Sequence, residues 1–207
     1  MPILEICQLK IKPHLSKDDP SLLSALQKAR TELREKVVNT QSRFYRCIED
    51  PSLIYVLGIW PSLNRHKEFL ASPHKAEILD AQDELFDFQW IIHTNFSDAG
   101  WDAVPLSAPV MGIARLFIKP EGVKPYQAVV DKYGKVVEDG TKPYKGLMEW
   151  RVDCEEGKFE HVFLTGWEKE GDHAAFTKRT REEHLEYAGV RENYEGMDVK
   201  HARDMEK

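Results

Sequence analysis

His74 sits in the turn Ser72-Pro73-His74-Lys75, ahead of Ile78, Ala81 and Leu85 at spacings of 4, 3 and 4. That spacing places the imidazole on the apolar face of a helix. Ser72 suits the N-cap and Pro73 the first helical position, so His74 falls in the first turn. The positive end of the helix dipole disfavours imidazolium there, and a neutral imidazole can serve as a general base toward a phenol or an activated carbon acid. His93, in "WIIHTNF", shares a strand face with Ile91 and Asn95, while Trp90, Ile92 and Thr94 share the other. A polar pair between apolar neighbours suits a cavity wall or, alternatively, a solvent-facing strand end. Tyr45, on the β-rich run "SRFYRCIED", adds a phenol. The expected chemistry is proton abstraction by His74, with His93 or Tyr45 stabilising the enolate or phenolate by hydrogen bonding.

A second group of candidates lies on the later part of the chain. His161 opens a strand face with Phe163, Thr165 and Trp167, where the earlier part has Ile54, Val56, Gly58 and Trp60. His161 and Thr165 therefore offer polar wall groups that the earlier part lacks. Trp60 and Trp167 end their strands, either packing sheet against helix or lining a ligand wall. Arg115, on a mostly apolar strand, could neutralise a carboxylate or phenolate, or form a salt bridge. His66 and His173 occupy equivalent places and are expected to serve the shared fold, for example by bonding a backbone carbonyl at a helix start.

These residues need elements to hold them, and the elements are written twice. Trp60, His66 and Phe69 match Trp167, His173 and Phe176, each 107 residues later, and Ile11, Lys12 and Pro13 match Ile118, Lys119 and Pro120 in the same register. Between the halves, "FSDAGWDAVPLSAP" is rich in small residues and proline and has no helical or alternating pattern. The expected organisation is a unit over residues 1–96, a linker over 97–109 and a second unit over 110–207. Alternating runs such as "ILEICQLKIKP" predict strands, and the 3 and 4 spacing of Leu22, Leu26, Ala29, Leu33 and Val37 predicts a helix. In the second half, a helix through "AFTKRTREEHLEYAGV" is expected, with Thr180 and Glu183 as a capping box. Each half reads β-α-β-β-α-β, the ferredoxin-like order, giving an α+β fold. Two tandem units packed sheet to sheet would bury the sheet face that the helices leave open.

The "W…H..F" after each third strand, the helix break at "ASPHKAEIL" and the β-α-β-β-α-β order resemble the dimeric α+β barrel superfamily, including its antibiotic-biosynthesis monooxygenase-like members. The resemblance covers nearly the whole chain and implies a pseudo-dimeric barrel written in one chain. It also adds to His74, because polyketide cyclases of that superfamily carry a catalytic histidine in an "HPxH"-like turn. Here the first histidine of that turn is replaced by Ser72. The implied activities range from cofactor-free oxygenation of aromatic polyketides to cyclisation and isomerisation, so the fold does not select one.

Composition narrows the partners. The chain has 207 residues, a net charge of −6 and 29 Lys and Arg scattered among 35 acids, which excludes a nucleic-acid partner. No secretory pattern or long apolar run appears, so no membrane partner and a cytoplasmic location are expected. Cys7, Cys47 and Cys154 lack metal-ligand spacing and read as apolar fillers. No metal and no cofactor are expected, and the partner expected is a small apolar substrate held by a monomeric pseudo-dimer or a homodimer. The resulting expectation is a cofactor-independent oxygenase, cyclase or isomerase of secondary metabolism. The alternatives are a non-catalytic small-molecule-binding or stress-associated barrel, and an interaction scaffold.

Overall fold

Strand β1 (Ile3–Ile11) carries apolar residues on both faces and is buried through Gln8. This is the pattern of a central strand. In the computed structural model, which describes residues 1–96 and 100–207, β1 pairs antiparallel with β3 on one side and β4 on the other. The chain divides into two compact units, Met1–Asp98 with Arg203–Lys207, and Ala99–Ala202.

In the first unit the order is β1, α1 (Pro20–Lys36), β2 (Gln41–Cys47), β3 (Leu53–Trp60), α2 (Leu63–Leu70), α3 (Pro73–Leu79) and β4 (Phe86–Asn95). The strands lie side by side as β4-β1-β3-β2. Helix α1 starts because Asp19 accepts a hydrogen bond from the Ser21 N–H at 2.8 Å and Pro20 presets the first turn. It buries Leu22 and Leu26 with Ile11, Phe44, Ile54 and Phe86. Burial of Leu22, with no exposed surface, contributes about 2 kcal/mol. Ser62 caps α2 through the Arg65 N–H, and the chain breaks at Ala71 and Ser72 before Pro73 opens α3. The last residues of the chain belong to this unit, where Met205 N–H bonds to the Phe44 carbonyl and Arg30 pairs with Glu206.

The second unit repeats the element order with β5 (Val110–Ile118), α4 (Val123–Gly140), β6 (Gly146–Trp150), β7 (Phe159–Trp167), α5 (Glu170–Glu183), α6 (Leu185–Gly189) and β8 (Tyr194–Asp204). Its strands follow the order β8-β5-β7-β6. Helix α5 begins earlier than expected, because the Asp172 carboxylate accepts the Lys169 N–H at 2.9 Å. Thr180, expected in a cap with Glu183, is instead a buried position within α5, and the helix stops at Glu183. Of the expected linker, residues 97–99 lie outside the described residues. The remainder contains a short 3-10 turn (Gly100–Ala103) and the buried Val104 and Ala108. No helix among the described residues is long and apolar enough to cross a membrane.

Candidate active site

Strand register assembles a polar cluster inside the first unit. Glu5 lies opposite Gly58 on β3 and opposite His93 on β4. Trp60, two residues beyond Gly58, therefore points to the same face. The indole N–H of Trp60 donates to Glu5 Oε2 at 2.5 Å, and His66 Nε2, from α2, lies 3.3 Å from that same oxygen. The other ring nitrogen of His66, Nδ1, meets His93 Nε2 at 2.8 Å. Trp60 covers the His66 ring with centroids 4.2 Å apart. Glu5, His66 and His93 are all buried.

Burial pushes the Glu5 carboxyl up to about 7, against the opposing pull of the His93 charge and the Trp60 hydrogen bond. A carboxylate that gains and loses its proton near neutrality is poised for general acid–base work. With Glu5 ionised, His66 donates through Nε2 to Glu5, and its Nδ1 shares a proton with His93 Nε2 in a direction set by the tautomers. Both Trp60 and His66 are committed to Oε2. Among the described residues no hydrogen bond to Oε1 accompanies these two.

The same three side chains offer ligand atoms within 4.8 Å of one another, a set that could hold a divalent transition metal. As placed, however, His66 spends its two nitrogens on two different partners. A shared cation would displace the His66–His93 hydrogen bond, whereas without one the three side chains form a hydrogen-bonded chain.

Glu5, Trp60 and His66 line a cavity of about 470 Å³. Its walls are largely apolar, including Phe44, Val56, Phe69, Phe86, Phe88 and Ile91. A volume and lining of this kind suit a small, largely apolar organic molecule. Cys7 also lines the cavity, but burial and the Glu5 charge push its thiol well up, so it stays protonated.

The second unit has the same grid with different contents. Gly112 occupies the place of Glu5, opposite Thr165 on β7 and His201 on β8. The Trp167 N–H now donates to Thr165 Oγ1 at 2.9 Å, while His173 Nδ1 meets His201 Nε2 at 3.0 Å. Trp167 stacks on His173 at 11° between planes. The two units have thus exchanged side chains across a strand pair, Glu5 with Gly58 in one and Gly112 with Thr165 in the other. The cavity here, about 580 Å³, contains Thr165, Trp167, His173 and His201 but no carboxylate on its floor.

The exchange has a steric consequence. A Cβ at Gly112 would come within 2.7 Å of Thr165 Oγ1 and 2.9 Å of Trp167 Nε1, whereas one at Gly58 would stay 3.4 Å or more from its neighbours. Gly112→Ala is therefore expected to cost about 1–3 kcal/mol in urea unfolding, and Gly58→Ala under about 1 kcal/mol. Equal costs would contradict the exchange.

The structure sorts the residues singled out from sequence. Trp60, Thr165 and Trp167 line cavities, and His93 stands behind His66 in the cluster. His74 does not reach the cavity: it is exposed and pairs with Glu77 at 2.8 Å. The helix that carries it ends at Leu79, so Ala81 and Leu85 never define a face with it. Tyr45 is buried, but strand alternation puts it on the opposite face of β2 from the cavity-lining Ser42 and Phe44. Arg115 likewise points away from the cavity-lining Ala114 and Leu116, and makes two hydrogen bonds to Glu160 at 2.5 and 3.1 Å. His161 shares the face of Thr165 but lies outside the cavity, bonded to the Tyr126 hydroxyl at 2.7 Å and stacked on Trp150. Sequence reasoning missed Glu5 and expected His66 to serve the shared fold.

No family model matches the sequence, and no curated protein matches it. Solved structures do resemble it along both units. A candidate monooxygenase from Lactobacillus acidophilus is 13% identical, with 98% of this chain and 93% of that chain covered at a TM-score of 0.59. An anthrone oxidase-like protein is 10% identical, covering 98% and 91% at a TM-score of 0.65. A candidate chlorite dismutase is 9% identical, covering 99% and 94% at a TM-score of 0.66. At such identities the likeness is one of fold: this chain shares the α+β fold of these proteins.

Proposed function

We propose that the first unit is a cofactor-independent oxygenase for a small aromatic or polyketide-like carbon acid, with Glu5 as the catalytic base. The observation that carries this reading is a buried carboxylate, poised near neutrality, on the floor of an apolar cavity. Glu5 Oε1 takes a proton from an activated C–H, leaving a delocalised carbanion or enolate. Trp60 and His66 hold the other oxygen, fixing the base and stabilising its charge between turnovers. The carbanion is oxidised by O2, forming a C–O bond, and the peroxide takes up the proton. With an anthrone, loss of water from that hydroperoxide gives the quinone, so one O2 is consumed per quinone and water formed. The names of the similar structures lean toward oxidation rather than cyclisation. The tandem, pseudo-dimeric organisation belongs to this reading, supported by the shared element order and the matched Trp-His-Phe sets.

The test is anthrone turnover by the full chain in air, followed by quinone absorbance and O2 uptake. Equal quinone and O2, undiminished by EDTA and by His74→Ala, is the expected result. Turnover no faster than in buffer, or lost on chelation, overturns the reading.

A further inference from the structure

The second unit's cavity has lost the carboxylate of the first and gained positive charge at its edge. Lys178, Arg181 and Arg191 line it against one acid, Glu182, whereas the first cavity has Arg30 and Lys75 against Glu5, Asp80 and Asp83. Among the described residues no carboxylate lies within ion-pairing distance of Lys178, Arg181 or Arg191. On a chain of net charge −6, that local excess stands out. Two of the cations also act on the cavity's tyrosines. Burial pushes the Tyr187 and Tyr194 hydroxyls up, and the charges of Arg181 and Arg191 pull both back. Both tyrosines line this cavity. Deeper in, Trp167 and Phe163 supply flat apolar surface, and Thr165, His173 and His201 carry no negative charge.

We infer that the cavity of the second unit binds an organic anion with a flat apolar body, its charge among Lys178, Arg181 and Arg191 and its ring against Trp167. Replacement of the Glu5 counterpart by Gly112 removes the one floor group that would repel such a ligand. The inference does not depend on turnover in the first unit. It assigns the two cavities different ligand chemistry: a neutral carbon acid where Glu5 stands, an anion where Gly112 stands.

The probe is 2-naphthoate, compared with neutral 2-naphthalenemethanol, titrated by calorimetry. Naphthoate is expected to bind about ten-fold more tightly than the alcohol, with that margin lost in the Lys178→Gln/Arg181→Gln double variant. A Lys145→Gln/Lys158→Gln variant, equal in charge change but away from the cavity, should keep it. For the unaltered protein, raising salt from about 0.02 M to about 0.5 M should weaken naphthoate several-fold and leave the alcohol unchanged. Absence of naphthoate binding, equal affinity for both probes, or equal loss in the two double variants overturns the inference. The salt series decides it even where a variant folds poorly.

Discussion

Replacing Glu5 by glutamine is expected to lower kcat/KM for anthrone by about 10²- to 10⁴-fold, the usual contribution of a positioned general base. The amide oxygen can still accept the Trp60 N–H, so the cluster keeps a partner for the indole while losing the proton acceptor. In the unaltered protein kcat/KM should rise with pH through a midpoint of about 7. That limb should vanish in Glu5→Gln. The same residue makes an opposite statement about stability. Its folded value lies above the ordinary 4.5, so its contribution is fully present below about 4.5 and is lost as pH rises through about 7. Above that range, ionised Glu5 costs about 3 kcal/mol, and Glu5→Gln should be more stable than the parent by roughly that amount. A purely structural glutamate would not combine lost turnover with gained alkaline stability. Unchanged kcat/KM in Glu5→Gln would remove Glu5 from the reaction.

The second large effect is acid lability, and it belongs to the second unit. Burial pushes His161 down to about 4, and burial with the nearby His201 pushes His173 down to about 4. Both folded values lie below the ordinary 6.5, so each neutral ring contributes stability above about 6.5 that is lost as pH falls through about 4. Each loss amounts to about 3 kcal/mol by pH ~4. Glu5 moves the other way over this interval, since its protonated form is the favoured one in the fold. His161→Gln, which retains a partner for the Tyr126 hydroxyl, should flatten the acid slope by about 3 kcal/mol in urea titrations between pH ~7 and pH ~4. An unchanged slope would show that His161 is not held neutral by burial.

The repeat carried much of the architecture in plain view. Trp60, His66 and Phe69, with their partners 107 residues on, mark the strand end and following helix in each unit. The contrast between Gly58 and Thr165 was legible too. Glu5 was not, because one charged residue in "ILEICQLKI" reads as loose alternation. Its meaning comes from cross-strand register with Gly58 and His93, and register depends on pairing between distant segments. Carrying the same offset back to the first strand would have set Glu5 against Gly112, completing the exchange. His74 failed for a different reason: its helical face was inferred across a chain that leaves the helix after Leu79. Tyr45 and Arg115 failed on alternation, each lying one residue from positions that do face a cavity.

The most direct measurement is the carboxyl titration of Glu5 by ¹³C NMR on glutamate-labelled protein, with the resonance assigned by its absence in Glu5→Gln. A midpoint near 7, coincident with the pH dependence of kcat/KM, is the expected result. A midpoint near the ordinary glutamate value of 4.5 would contradict a desolvated base at the floor of the first cavity.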